Sequence, residues 1–311
     1  MHTLKTTFSS GGSGLLLLLC ATCAIAAPQP GIPKTGKRPL VVIDPGHGGG
    51  DRGATARLGA GFIAEKDLAL LLSYDVAAAL RSRDVNVALT RKEDEEVALS
   101  DRTALANRLR ADAFVSIHLN AIGTGDVHGS SANHQVGHQF GAQGFETYVL
   151  NHSTDRTSQR LADLENSVLK GSVAAASAQS EVSLIVKDLI LEANRKRSHQ
   201  LACAVQSRLA AAPSPPSSFN LKSLRNRGVK EGLFYVLLGA DMPSILIEAG
   251  FVQSSWDRSL ILNPGRRRDL ARGIAEGVME FLEPRKQLAN CKIRGQETAS
   301  TPTPRRPANR W

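Results

Sequence analysis

Between Leu40 and Phe281, short aliphatic runs alternate with stretches whose apolar residues recur every three to four positions. That alternation constrains the fold more than any other feature of the chain. Leu40-Val41-Val42-Ile43, Val85–Thr90, Ala113–Leu119, Glu146–Leu150, Phe234–Leu238 and Ser244–Glu248 read as strands. Glu65–Arg81 reads as a helix with Leu68, Leu71, Leu72, Val76, Ala79 and Leu80 on one face. Val97–Arg110 reads likewise, with Leu99, Leu105, Ala106 and Leu109 inward. Thr157–Leu169, Val182–Leu209 and Arg266–Phe281 complete the helices. Strands separated by helices predict an α/β fold: a single domain with a largely parallel mixed sheet, covered by helices on both faces. Residues 39–283 form that domain, and residues 153–212 form a helical insertion within it.

The two ends read differently. Lys5, the run Leu15–Cys20 and the small residues of Ala24-Ile25-Ala26 have the form of a signal peptide over residues 1–26. The apolar stretch is too short for a membrane helix of roughly 20 residues, so no transmembrane segment is expected after cleavage, and the expected compartment is the periplasm. Residues 27–38 read as a Pro/Gly/Lys linker. Residues 284–311 lack apolar periodicity and read as a basic disordered tail. That tail holds seven Lys or Arg against Glu297, and residues 1–26 hold Lys5 alone, so only +2 of the formal +9 belongs to the body. A nucleic-acid enzyme concentrates positive charge on its folded face; this body does not, and no nucleic-acid partner is expected. Cys203 and Cys291 are compatible with either a disulfide in an oxidising compartment or two free thiols.

Four ionisable residues fall at strand ends or an adjoining helix start: His47 in Asp44-Pro45-Gly46-His47-Gly48-Gly49, Glu65, His118 and Glu248. Sites in open α/β sheets collect at the carboxyl ends of strands. The turn around His47 lacks the Gly-Lys-Ser/Thr of a phosphate loop and is not a dinucleotide fingerprint. Glu65 taken alone could be a carboxylate favoured by the helix dipole, and His118 alone a hydrogen-bonded strand end. Glu248 ends the apolar run Ser244-Ile245-Leu246-Ile247, where a carboxylate is rarely buried without a partner or a function. Taken together, His47, Glu65 and His118 fit one metal: two imidazoles and a carboxylate with an open position make a catalytic zinc site. Glu248 is then the proton shuttle.

The sequence resembles the zinc-dependent N-acetylmuramoyl-L-alanine amidases that separate bacterial cells. The matching stretches are Val42–Gly49, Glu65–Leu68, Leu89-Thr90-Arg91, Arg102 with Ala106-Asn107, Ala111–Ala121, Gly144–Tyr148 and Pro243–Phe251, in order from about Arg38 to Leu282. The resemblance implies one Zn2+ held by His47, Glu65 and His118, with Glu248 catalytic. The implied substrate is peptidoglycan, cut between N-acetylmuramic acid and L-alanine in wall remodelling and daughter-cell separation. Leu119 and Val252-Gln253-Ser254-Ser255 depart from the family's usual residues without touching a proposed ligand.

The insertion resembles the segment that covers the active site in activator-dependent members. That makes Glu165, in Leu161–Asn166, an expected inhibitory ligand, displaced when a protein activator moves residues 153–212. His128, His134 and His138 offer a second, weaker metal set in a loop rich in Gly, Ser and Gln, and that loop also suits a substrate-facing or solvated role. Two other readings compete with the amidase: a zinc carboxypeptidase or deacetylase on the same polymer, and a non-catalytic envelope protein of the same fold. The last would be expected to have lost a ligand or Glu248, and all four positions are present.

Overall fold

The computed structural model describes residues 37–121, 143–167, 181–211, 224–283 and 291–294, with backbone alone for 181–191. The proposed signal peptide, the His128/His134/His138 loop and most of the tail lie outside them.

Six strands form the main sheet: β1 (Leu40–Pro45), β4 (Asn86–Leu89), β5 (Ala113–Asn120), β6 (Phe145–Leu150), β7 (Asn226–Gly232) and β8 (Ser244–Phe251), in the order β4-β1-β5-β8-β6-β7. Pairing is parallel except between β6 and β8. A separate antiparallel hairpin, β2 (Thr55–Leu58) with β3 (Gly61–Ala64), precedes the first helix.

Both sheet faces are covered. On one, Val41, Ile43, Val115, Ile117, Ile245 and Ile247 pack against α1 (Glu65–Arg81), α4 (Glu181–Ala211), α6 (Ser255–Leu262) and α7 (Pro264–Leu282). On the other, Val42, Phe114, Tyr148 and Leu246 meet α2 (Leu99–Leu109), α3 (Arg156–Glu165) and the short α5 (Tyr235–Leu238). The period of two in β5 and β8 makes this division: alternate residues point to opposite faces, and both faces are dry. Asp155 caps α3 through the Thr157 and Ser158 amides, and Asn263 with Pro264 opens α7.

Several expectations are corrected. Phe234–Leu238 is not a strand; Tyr235–Leu238 is a single helical turn on the second core, with the Phe234 ring tilted against Tyr148 at a centroid distance of 4.9 Å. Aromatic and β-branched residues favour strands, but tertiary packing overrides that preference here. The strand lies instead in Asn226–Gly232, whose buried positions include Lys230 and Glu231 and so hide the apolar signature. Leu71 and Leu109, expected inward, are about two-fifths exposed. Cys203 and Cys291 form a disulfide. Residues 291–294, expected in a solvated tail, are tied to the sheet: Ile293 bridges Val229, and the Arg294 amide donates to Val229 O.

Candidate metal centre

β1 ends in a turn that reverses at His47, a non-glycine residue at φ 58°. Such a conformation is costly and persists only where its surroundings fix it. Here Arg102 donates to Asp44 Oδ1, Pro45 O and His47 O, all at 2.8–2.9 Å. Asp44 is also held by Thr90 and Ser116, and these bonds with the Arg102 charge keep its carboxyl below the usual range despite full burial. Gly46 is required by a close approach, since a Cβ there would lie 2.5 Å from the His118 ring.

The two imidazoles meet edge to face, with centroids 4.7 Å apart. Glu65 opens α1 directly after the β2–β3 hairpin. Its Oε1 accepts from Leu119 N and lies 3.0 Å from His47 Nε2 and 3.1 Å from His118 Nδ1. Its Oε2 accepts from Ala54 N. Glu165, at the end of α3, places Oε2 3.0 Å from His118 Nδ1 and 3.3 Å from His47 Nε2. One ligand atom from each of these four buried residues falls within 4.8 Å of the others. Asp51 Oδ2 meets His47 Nδ1 at 2.7 Å and fixes the ring from behind.

The expected ligands His47, Glu65 and His118 are therefore together, and Glu165 joins them. Among the described residues, His47 Nε2 and Glu165 Oε2 are buried with no aligned hydrogen-bond partner. His118 Nδ1 and Glu65 Oε1 pair at 3.1 Å, but with the other two atoms left over, the set of two imidazoles and two carboxylates suits a divalent cation. Burial alone would lower the His118 pKa, but the Glu165 and Glu65 carboxylates outweigh it and push it up to about 10. His47 is raised in the same way, chiefly by Glu65, and Glu65 is lowered in turn by His47. A metal bound here would have to displace those protons, since only the neutral imidazole is a ligand.

Glu248 pairs with His118 across the β5–β8 ladder and with Glu146 across β8–β6. It is fully buried, and among the described residues neither carboxylate oxygen has a hydrogen-bond partner. Burial, then the Glu165 charge, raise its pKa well above the ordinary value.

Residues 41–280 match the N-acetylmuramoyl-L-alanine amidase family, Amidase_3. The chain belongs to that family. It is 30% identical over 257 residues to N-acetylmuramoyl-L-alanine amidase AmiC of Neisseria meningitidis, covering 82% of this chain but 55% of that protein. It is 27% identical over 258 residues to AmiA of Escherichia coli, covering 81% and 79%. An N-acetylmuramoyl-L-alanine amidase structure from Clostridium difficile superposes with a TM-score of 0.55 at 29% identity, over 80% of this chain and all of that one. In this amidase-family chain, the buried His47/Glu65/His118 group lies beside the carboxylate of Glu248.

Sequence reasoning missed Asp51, Arg102 as a clamp on His47, and the network on Glu146. Glu146 accepts from Asn120, Tyr148, Arg227 and Lys230 at 2.6–2.8 Å. Arg227 and Lys230 sit two and five residues into a strand that has no apolar pattern, so no periodicity marked them. Among the described residues no helix is long and apolar enough to cross a membrane.

Proposed function

We propose that the protein is a zinc-dependent N-acetylmuramoyl-L-alanine amidase. It cuts peptidoglycan between the lactyl group of N-acetylmuramic acid and L-alanine, acting in the periplasm during wall remodelling and daughter-cell separation. One observation carries the reading: Glu248, buried and, among the described residues, without a hydrogen-bond partner, stands across the ladder from His118 in a converging His47/Glu65/His118 set. Those three residues would hold the zinc, which supplies Lewis-acid polarisation of a carbonyl and a lowered pKa for water.

The remaining work falls to the chain. Asp51 and the Leu119 amide orient His47 and Glu65. Glu248 has both oxygens free and a raised proton affinity, which suits it to take a proton from water and return it to the departing L-alanine amine. Its apolar strand keeps bulk water from competing for that proton.

Catalytic zinc sites keep a fourth position open. Glu165 would supply a fourth ligand to that metal, which supports a closed form that a protein activator opens by moving α3. The zinc carboxypeptidase or deacetylase reading uses the same residues, and the products separate them. Purified sacculi are digested with wild type and Glu248→Gln, with bound metal measured for both. The amidase predicts peptides with L-alanine at the N-terminus from wild type only, at about one zinc per chain in each protein. Released acetate or C-terminal residues would refute it.

A further inference from the structure

Arg91 is 1% exposed, and among the described residues no carboxylate lies within ion-pair distance of it. Burying a guanidinium without an anion is costly, and an aliphatic side chain would fill the space more cheaply. Its hydrogen bonds show what it does instead. Nε donates to Pro45 O at 3.0 Å and Nη2 to Gly46 O at 2.8 Å. Nη2 also donates to Lys66 O at 2.8 Å, and Nη1 to Glu93 O at 2.9 Å. The first two carbonyls belong to the turn that presents His47. The third belongs to the residue after Glu65. Arg102 clamps the turn alone; Arg91 spans both ligand-bearing segments. Gly48 packs on the same side chain, where a Cβ would lie 3.0 Å from Arg91 Cδ. On the solvent side, Lys66 Nζ adds a further tie to Gly49 O.

We propose that Arg91 is a positioning residue of the metal centre: its planar fork sets the distance between the His47 turn and the Glu65 helix start. The role rests on the metal reading of the site. It needs the guanidinium shape, because a lysine ammonium on a flexible stem cannot present donors to four separated carbonyls from one rigid plane. Partners that orient metal ligands from behind typically contribute 10–100-fold to metal affinity; Arg91 acts on the backbone of the two segments that carry His47 and Glu65.

The test is Arg91→Lys in the full chain, which keeps the charge and loses the fork. Zinc affinity is measured by competition with a chromophoric chelator, the site geometry by the visible absorption of the Co2+ form, and the fold by melting of the metal-free protein. Expected are 10–100-fold weaker zinc binding and an altered Co2+ spectrum. A lower melting temperature with wild-type affinity and spectrum would make Arg91 merely structural and overturn the role. If the wild type itself binds no metal, the reading of the site fails and this role with it. Should Arg91→Lys not fold, the wild type still decides. Its Arg91 side-chain N–H signals should resist exchange and shift on zinc addition, whereas signals that exchange freely and ignore zinc refute the proposal.

Discussion

The proposed closed state makes a quantitative demand on Asn166. This residue follows Glu165 at the end of α3, and its side chain is the tether that holds that end down. Nδ2 donates to Leu233 O at 2.7 Å, and Oδ1 accepts from Tyr235 N at 2.8 Å. Leu161 and Ala162 bury the rest of the helix in the second core. Asn166→Ala removes two neutral hydrogen bonds worth about 1 kcal/mol each, so the closed state should weaken by about 2 kcal/mol. That is roughly a 30-fold shift toward the open form, and basal hydrolysis should rise by up to that factor where the open form is scarce. The readout is the initial rate of peptide release from sacculi without any activator, with zinc content and melting temperature measured alongside. Leu164 is half exposed on the same helix, and Leu164→Ala serves as the control, with no expected change. An Asn166→Ala protein that folds, holds zinc and releases peptide no faster than wild type would refute the claim that α3 holds the site shut.

Three further outcomes follow from the same structure. His118 holds its proton up to about pH 10 in the metal-free protein and His47 is raised as well, so zinc must displace protons at neutral pH; affinity should climb by about a decade or more per pH unit between pH 6 and 8, and a flat titration would refute this. The Cys203–Cys291 disulfide closes a separation of 88 residues, and Cys291→Ser should destabilise by about 2–5 kcal/mol, lowering the thermal midpoint by about 10 °C. Asp257 is raised to about 6 by burial, offset only in part by the Gly144 and Phe251 amides. A pKa higher in the folded state gives stability that is full below about pH 4 and lost as pH rises through 6, so Asp257→Asn should gain on wild type in melts across that window, and parallel curves would contradict it.

The sequence was most legible where backbone pattern and chemistry coincide. β1, β5 and β8 are buried on both faces, so their runs are apolar throughout, and His118 and Glu248 stand out because a polar residue interrupts such a run. Glu65 was legible from the helix it opens. β7 was not, because its inward positions are charged and satisfied by partners far along the chain: Lys230 meets Glu146 across 84 residues. The same holds for Arg91 and Arg102. Most of their donors go to backbone carbonyls 25–57 residues away, and a carbonyl carries no sequence signature. The disulfide lay beyond reach for a related reason, since thiol distance depends on where α7 ends against α4.

Glu146 and Glu248 show why the reactive carboxylate is the one with fewer contacts. They face each other across one rung of the β6–β8 ladder, and both are fully buried. Burial raises both, but Glu146 is drawn down by the Lys230 and Arg227 charges and their hydrogen bonds, so it stays ionised. With four donors on its two oxygens it has little capacity left to accept a proton. Glu248 has none of those donors, and the charge on Glu146 is among the influences that push its pKa up. Paired groups whose environments drive their pKa values apart mark the acid–base assignment. Glu165 acts on Glu248 in the same direction, as the largest cause after burial. In the proposed mechanism, then, withdrawal of α3 would remove Glu165 from the metal ligands, and in the metal-free chain it would also remove a negative charge that raises the Glu248 pKa, bringing the base toward the ionised form.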